Sequence, residues 1–164
     1  MSIIVNTMNE KQSKYEILTY QTLRLKDLIK EIVQCCDDRK FYESDKFHLP
    51  SAEIKCLLLF IGERYLTSKS ISVKLDVAKS RVTKIIKGLM NKGMVETVND
   101  PKDSRMKLLS LTSLGRKVSE QIESFHNDIH KQILIQMDED ERMEVLSKLE
   151  RLRSSMEAVK EKMI

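Results

Sequence analysis

The chain has 164 residues, 41% hydrophobic and 33% charged, a balance that belongs to a folded globular protein and not to a disordered one. Four Gly and two Pro are too few for an all-β fold, whose turns consume such residues at short intervals. Neither G-x-G-x-x-G nor G-x-x-x-x-G-K-[ST] occurs, so the phosphate-cradling loops of nucleotide-binding enzymes are excluded. With no Trp and 5% aromatics, the core has to come from Leu, Ile, Val and nine Met, and helix is the expected state.

The longest strictly apolar run, Cys56 to Ile61, is six residues, where a spanning helix needs about 18 or more. The N-terminus has no basic n-region, so a cytoplasmic protein without a membrane segment is expected. Three cysteines, an odd number, fit a reducing compartment better than a disulfide framework. The net charge of +4 is unevenly spread. Ten basic residues stand against four acidic ones between Leu66 and Lys107, and the flanks are near neutral. A basic centre of this kind suits a polyanion.

In chain order, residues 12–37 place Tyr15, Leu18, Leu25, Leu28, Ile29 and Ile32 at helical spacing. The polar, aromatic stretch DDRKFYESDKFH is expected to interrupt that helix. Pro50 then suits the first position of a second helix with Ile54, Leu57, Leu58 and Ile61 as its buried stripe, and Gly62 at or near its end. Thr67 or Ser68 can cap a short helix holding Ile71, Ser72 and Leu75. After a break at Asp76-Val77-Ala78 comes KSRVTKIIKGLMNKG, with Val82, Ile85, Ile86 and Leu89 inward and Gly93 as its stop. Short helix, tight turn, second helix with a basic outer face is a helix-turn-helix.

The period then changes to two. Residues 94–98 and 106–111 read as strands joined by the polar turn NDPKDSR, a hairpin placed as a wing. Thr112 caps a helix with the stripe Leu114, Val118, Ile122, Phe125, Ile129 and Ile133. Asp138 opens the last helix, with Glu141 as capping-box partner and Met143, Leu146, Leu149, Leu152, Met156, Val159 and Met163 along one side. The expected fold is mainly α with a small β-wing.

From about Ile71 to Val118 the sequence resembles the MarR family, the multiple-antibiotic-resistance regulators with a winged helix-turn-helix. The wing and its exit carry the likeness most specifically: D-P-K-D-S-R, then L-T-S-L-G-R. Two positions depart from the family pattern. Asp76 stands where a turn glycine is usual, and Ala78 where a serine hydroxyl usually meets a phosphate. Asp tolerates the left-handed conformation, whereas Ala caps poorly.

The resemblance implies a single domain over residues 1–164. Its DNA-binding region is 50–111, and 12–37 with 112–163 interlock with a second copy as a homodimer. Such a dimer would bind a pseudopalindromic double-stranded operator, probing half-sites about one DNA turn apart. Within that frame the residues distribute by position. Arg81, near the start of the second helix of the pair, is the first choice for guanine readout, and Ser80 and Thr83 are within reach of base edges or a thymine methyl. Lys79 is exposed beside them, and Lys84 and Lys87 suit phosphates. Ser68 and Lys69, where the first helix of the pair begins, join the DNA-binding set. The resemblance further implies that Arg105 enters the minor groove, oriented by Asp103, with Lys102 and Lys107 on the backbone.

Relatives of this kind respond to small aromatic acids, oxidants or metal ions. His126 and His130, at i and i+4, share a helix face and could chelate a divalent metal; Glu43, His48, Cys35 and Cys36 are further candidate donors. No metal site is firm on this spacing, and a small aromatic effector is an equal expectation. Cys35, Cys36 and Cys56 read as small hydrophobes or redox-sensitive thiols. No nucleophile, base and carboxylate constellation is present, so the chain is not expected to be an enzyme. The leading function is a DNA-binding regulator, a repressor released by an effector; the alternative is a winged-helix protein-interaction module.

Overall fold

The computed structural model describes residues 2–99 and 107–163, with side chains described from Glu16 onward. Among the described residues the elements are helices α1 (Ser2–Phe47), α2 (Ser51–Leu58), α3 (Ser68–Leu75) and α4 (Lys79–Asn91), strands β1 (Val95–Asn99) and β2 (Lys107–Leu111), and helices α5 (Ser113–Ile135) and α6 (Glu139–Glu161). They fall into two compact units, Met1–Lys55 and Cys56–Ile164.

The first unit is dominated by α1, 46 residues long and roughly 70 Å from end to end. The expected interruption after residue 37 does not occur. DDRKFYESDKFH holds no Gly or Pro, and its charged side chains support the helix across successive turns. Lys40 pairs with Asp37, and Gln34 donates to Asp38 Oδ1 at 2.8 Å. The helix stops where His48 turns left-handed at φ 51° and Pro50 follows. Pro50 lies just outside α2, one residue before its expected place, and its carbonyl accepts from Glu53 and Ile54. Leu49 and Ile54 are buried.

The second unit contains the helix-turn-helix, the hairpin and the two C-terminal helices. Beyond α2, Leu59, Phe60 and Ile61 donate three residues back, and the chain leaves this tightened turn through Gly62 at φ 78°. Buried here are Cys56, Leu57, Phe60, Leu66, Ile71, Val82, Ile85, Ile86, Leu89, Val95, Leu109, Leu111 and Ile122. Every inward position expected of α4 is therefore buried. The strands pair antiparallel from Val95 opposite Leu111 to Asn99 opposite Lys107, one residue along from the expected start of each. A bridge between Leu66 and Leu109 adds a third, one-residue edge. Leu66 N–H donates to the Leu109 carbonyl at 3.0 Å, and Leu109 N–H returns to Leu66 at 2.8 Å.

On α5 the buried face is rotated from the expected stripe. Gly115, Ser119 and Ile122 are buried, while Leu114 and Ile133 are exposed. Gly115 lets the helix approach the backbone at Met94, and Ser119 Oγ reaches the Leu57 carbonyl at 3.3 Å, so a small and a polar residue take the inner side. The α6 cap is as expected: Asp138 Oδ1 accepts from Glu141 N–H at 2.9 Å, and Glu141 Oε2 accepts from Asp138 N–H at 3.0 Å. No residue of α6 is buried, and Met143, Leu146, Leu149, Met156 and Val159 lie open along it. Among the described residues no helix is long and apolar enough to cross a membrane.

Candidate nucleic-acid interface

The second unit assembles a surface around the turn between α3 and α4. Thr67 starts α3 with a reciprocal cap: its Oγ1 accepts from Ser70 N–H, and its own N–H donates to Ser70 Oγ, both at 3.0 Å. Serine in the third position takes the part that Glu or Gln plays in the commoner capping box. Ser68 and Lys69 follow in the first turn, both exposed.

Asp76 closes α3 in the left-handed conformation, φ 51° and ψ 51°. Val77 N–H bonds the Ser72 carbonyl at 3.2 Å, and Ser72 Oγ donates to the Val77 carbonyl at 2.7 Å. That side-chain bond holds the turn from inside and shows why a serine serves at position 72. Ala78 then enters α4 at φ −61° and ψ 148° with no side-chain cap. The first amides of α4 are left to solvent or to an anion, and the positive end of the helix dipole favours the anion.

With Val82, Ile85, Ile86 and Leu89 buried, the opposite side of α4 presents Lys79, Ser80, Arg81, Thr83, Lys84 and Lys87, all exposed. Thr83 Oγ1 donates back to the Lys79 carbonyl at 3.0 Å, so its hydroxyl is engaged by the helix. No carboxylate lies within α4 to neutralise this face. The helix ends at Asn91, the chain turns away through Gly93 at φ 67°, and β1 begins two residues after that glycine. Lys107, opposite Asn99 in the last described pair of the strands, is exposed. Lys102, Asp103 and Arg105 lie outside the described residues.

Among the described residues no group of three or more His, Cys, Asp or Glu is arranged to hold an ion. His126 is half-buried and His130 exposed, one turn apart on α5, with the His126 ring 6.3 Å from that of Phe125. Glu43 is buried, His48 is exposed, and Cys35 and Cys36 are exposed thiols on α1. Cys56 is buried as a core residue.

Two features of this surface were not drawn from sequence. The Leu66–Leu109 bridge joins residues 43 positions apart and has no local pattern to announce it. The Ser72–Val77 bond could have been suspected from a serine four residues before a left-handed aspartate.

Residues 44–111 match the family model described as the sugar-specific transcriptional regulator TrmB. Among solved structures, a MepR mutant from S. aureus superposes with a TM-score of 0.72 at 21% identity, covering 79% of this chain and 96% of its own. A MarR mutant from E. coli gives 0.66 at 24% identity, over 78% and 95%. The chain has the MarR fold. The FabT regulator of Streptococcus pneumoniae, solved in complex with DNA, shares it at 21% identity with a TM-score of 0.71, over 82% of this chain and 98% of FabT.

In sequence, the transcriptional regulator AdcR of Streptococcus pneumoniae is 38% identical over 65 residues, 40% of this chain and 44% of AdcR. The uncharacterized HTH-type transcriptional regulator YdgJ of Bacillus subtilis is 25% identical over 108 residues, 66% of each chain. The chain thus matches less than half the length of AdcR and just under two thirds of YdgJ. The MarR fold accounts for the helix-turn-helix, the wing and the flanking helices together.

Proposed function

We propose that the chain is a MarR-family transcription regulator that binds double-stranded DNA in a sequence-specific manner. The observation that carries this reading is the exposed face of α4, where Lys79, Ser80, Arg81, Thr83, Lys84 and Lys87 line a helix that itself holds no carboxylate, between an uncapped helix start and a hairpin. A helix of this kind docks in the major groove, with residues of its first turns meeting base edges and the later lysines meeting phosphates. Arg81 reads guanine; Lys84 and Lys87 position. Ser68, Lys69, Lys102 and Lys107 add backbone contacts, and Arg105, oriented by Asp103, occupies the minor groove. FabT and MepR, both solved with DNA, lend support through the shared fold.

The regulator acts as a homodimeric repressor in the cytoplasm, released from a pseudopalindromic operator by a small effector. The open apolar side of α6 supports the dimer. The winged-helix interaction module without DNA binding has no observation in its favour.

Selection of duplexes from a randomised pool, followed by fluorescence-anisotropy titration at several salt concentrations, tests the reading. Arg81→Ala costs about 1–3 kcal/mol on the selected duplex and relaxes the base preference at one position per half-site. Lys87→Ala weakens all duplexes alike and lowers the salt slope by about 1 per contact. A chain that enriches no sequence and binds without salt dependence is not a DNA-binding regulator.

A further inference from the structure

Where α4 hands over to β1, the hydrogen bonds converge on one hydroxyl from the far side of the hairpin. Thr112 is the N-cap of α5, and its Oγ1 accepts from Gly115 N–H at 3.0 Å. The same oxygen donates its proton to the Gly93 carbonyl at 2.7 Å, 19 residues back in the chain. Thr112 N–H donates to the Met94 carbonyl at 3.1 Å. Gly93 is the left-handed residue that terminates α4, and Met94 N–H is itself tied to the Leu89 carbonyl at 2.9 Å. A Cβ on Gly115 would stand 1.9 Å from the Met94 carbonyl oxygen, so the first turn of α5 rests directly on this backbone.

These groups lie at the root of the hairpin, and the base-reading face of α4 is on its exposed side. Their effect is on an angle. The hairpin is fastened to the start of α3 by the reciprocal Leu66–Leu109 pair. Burial of Val95, Leu109 and Leu111 seats the hairpin strands in the core. The Thr112 bonds to Gly93 and Met94 add a directional attachment at the end of α4, where the hairpin begins.

We infer that Thr112, with Gly115 admitting the Met94 backbone, is a positioning residue that holds α4 and the strands β1 and β2 at the mutual angle the duplex requires. It thereby sets sequence discrimination without touching DNA. This rests on the DNA-binding reading above and extends it to a residue outside the contact surface. A phosphate contact contributes to every duplex equally, whereas a fixed angle matters only where helix and wing must engage their grooves together.

The full chain with Thr112→Val, which keeps the shape and removes the hydroxyl, is compared with Thr112→Ser, which restores it. Affinity is measured on the duplex selected by the wild-type chain and on a random-sequence duplex, and amide hydrogen exchange is followed over residues 89–95 and 112–116. Thr112→Val lowers affinity for the selected duplex about tenfold, leaves the random duplex within about twofold, and Thr112→Ser recovers the difference. Exchange rises in both segments in the valine variant alone. Equal losses on both duplexes, or no loss, overturn the inference. If the wild-type chain selects no duplex, the DNA-binding reading fails by itself, and exchange decides the clamp: unchanged protection in Thr112→Val removes it, and faster exchange reversed by Thr112→Ser upholds it. Should Thr112→Val not fold, Thr112→Ala is read by the same two measurements.

Discussion

At position 76 the backbone passes through φ 51° and ψ 51° with a side chain attached. Glycine adopts that conformation freely, aspartate at modest cost, and a β-branched residue at high cost. Asp76→Gly is therefore neutral to stabilising, by up to about 1 kcal/mol, and Asp76→Val destabilises by about 1–2 kcal/mol or more, read from urea unfolding midpoints. Two residues later Ala78 begins α4 with no cap. Ala78→Ser supplies a hydroxyl for an α4 amide and raises stability by about 1 kcal/mol. On the DNA-binding reading it adds one phosphate contact as well, so its salt slope steepens. These two positions are where the sequence departs from the family pattern; the turn has the conformation that glycine favours, and the helix start shows the missing cap.

At the scale of elements, the helix-turn-helix depends on a few wholly buried side chains. Leu89 and Ile71 have no exposed surface, one on α4 and one on α3. Leu89→Ala removes a buried side chain from beneath the reading helix and costs about 2–5 kcal/mol, observed as a lower unfolding midpoint in urea. This pair of helices was legible in the sequence because each signal was local: a cap at Thr67, apolar residues at 3.6 spacing, a stop at Gly93. The hairpin was legible from its period of two. The continuation of α1 to Phe47 was not, because aromatic and charged residues with no Gly or Pro are compatible with either loop or helix. On α5, hydropathy pointed at Leu114, but close approach at Gly115 and the buried Ser119 bond set the inner face. Of the candidate site, the outward residues of α4 followed from the inward ones, whereas Arg105 and its neighbours in the wing rest on resemblance.

For the whole molecule, α1 and α6 each leave apolar side chains open within one chain, Leu18, Leu25, Leu28 and Ile32 on the first and Met143, Leu146, Leu149, Met156 and Val159 on the second. Met143 is 66% exposed and Val159 58%, on a helix with no buried residue at all. An open stripe of this extent is unfavourable in water and favours a second copy. If the chain is the proposed homodimer, Leu149→Glu places a charge in the α6 stripe and converts it to monomer in sedimentation velocity at micromolar concentration; a variant that remains dimeric rejects α6 as part of the interface. The effector is approached at the same scale. A thermal-shift screen of the purified chain with divalent metals, oxidants and aromatic acids identifies the class, and a zinc-induced rise that His126→Ala abolishes assigns the His126–His130 pair to metal.

The reciprocal bond between Leu66 and Leu109 has a thermodynamic consequence. It joins the lead-in to the helix-turn-helix and the hairpin strands into one hydrogen-bonded body, so the described parts of the proposed DNA-binding surface are ordered in the free chain. The chain entropy of arranging them is spent during folding and not during the encounter with DNA. Calorimetry on the selected duplex should accordingly give a heat-capacity change in keeping with the contact area alone, without the larger negative value that accompanies folding on binding.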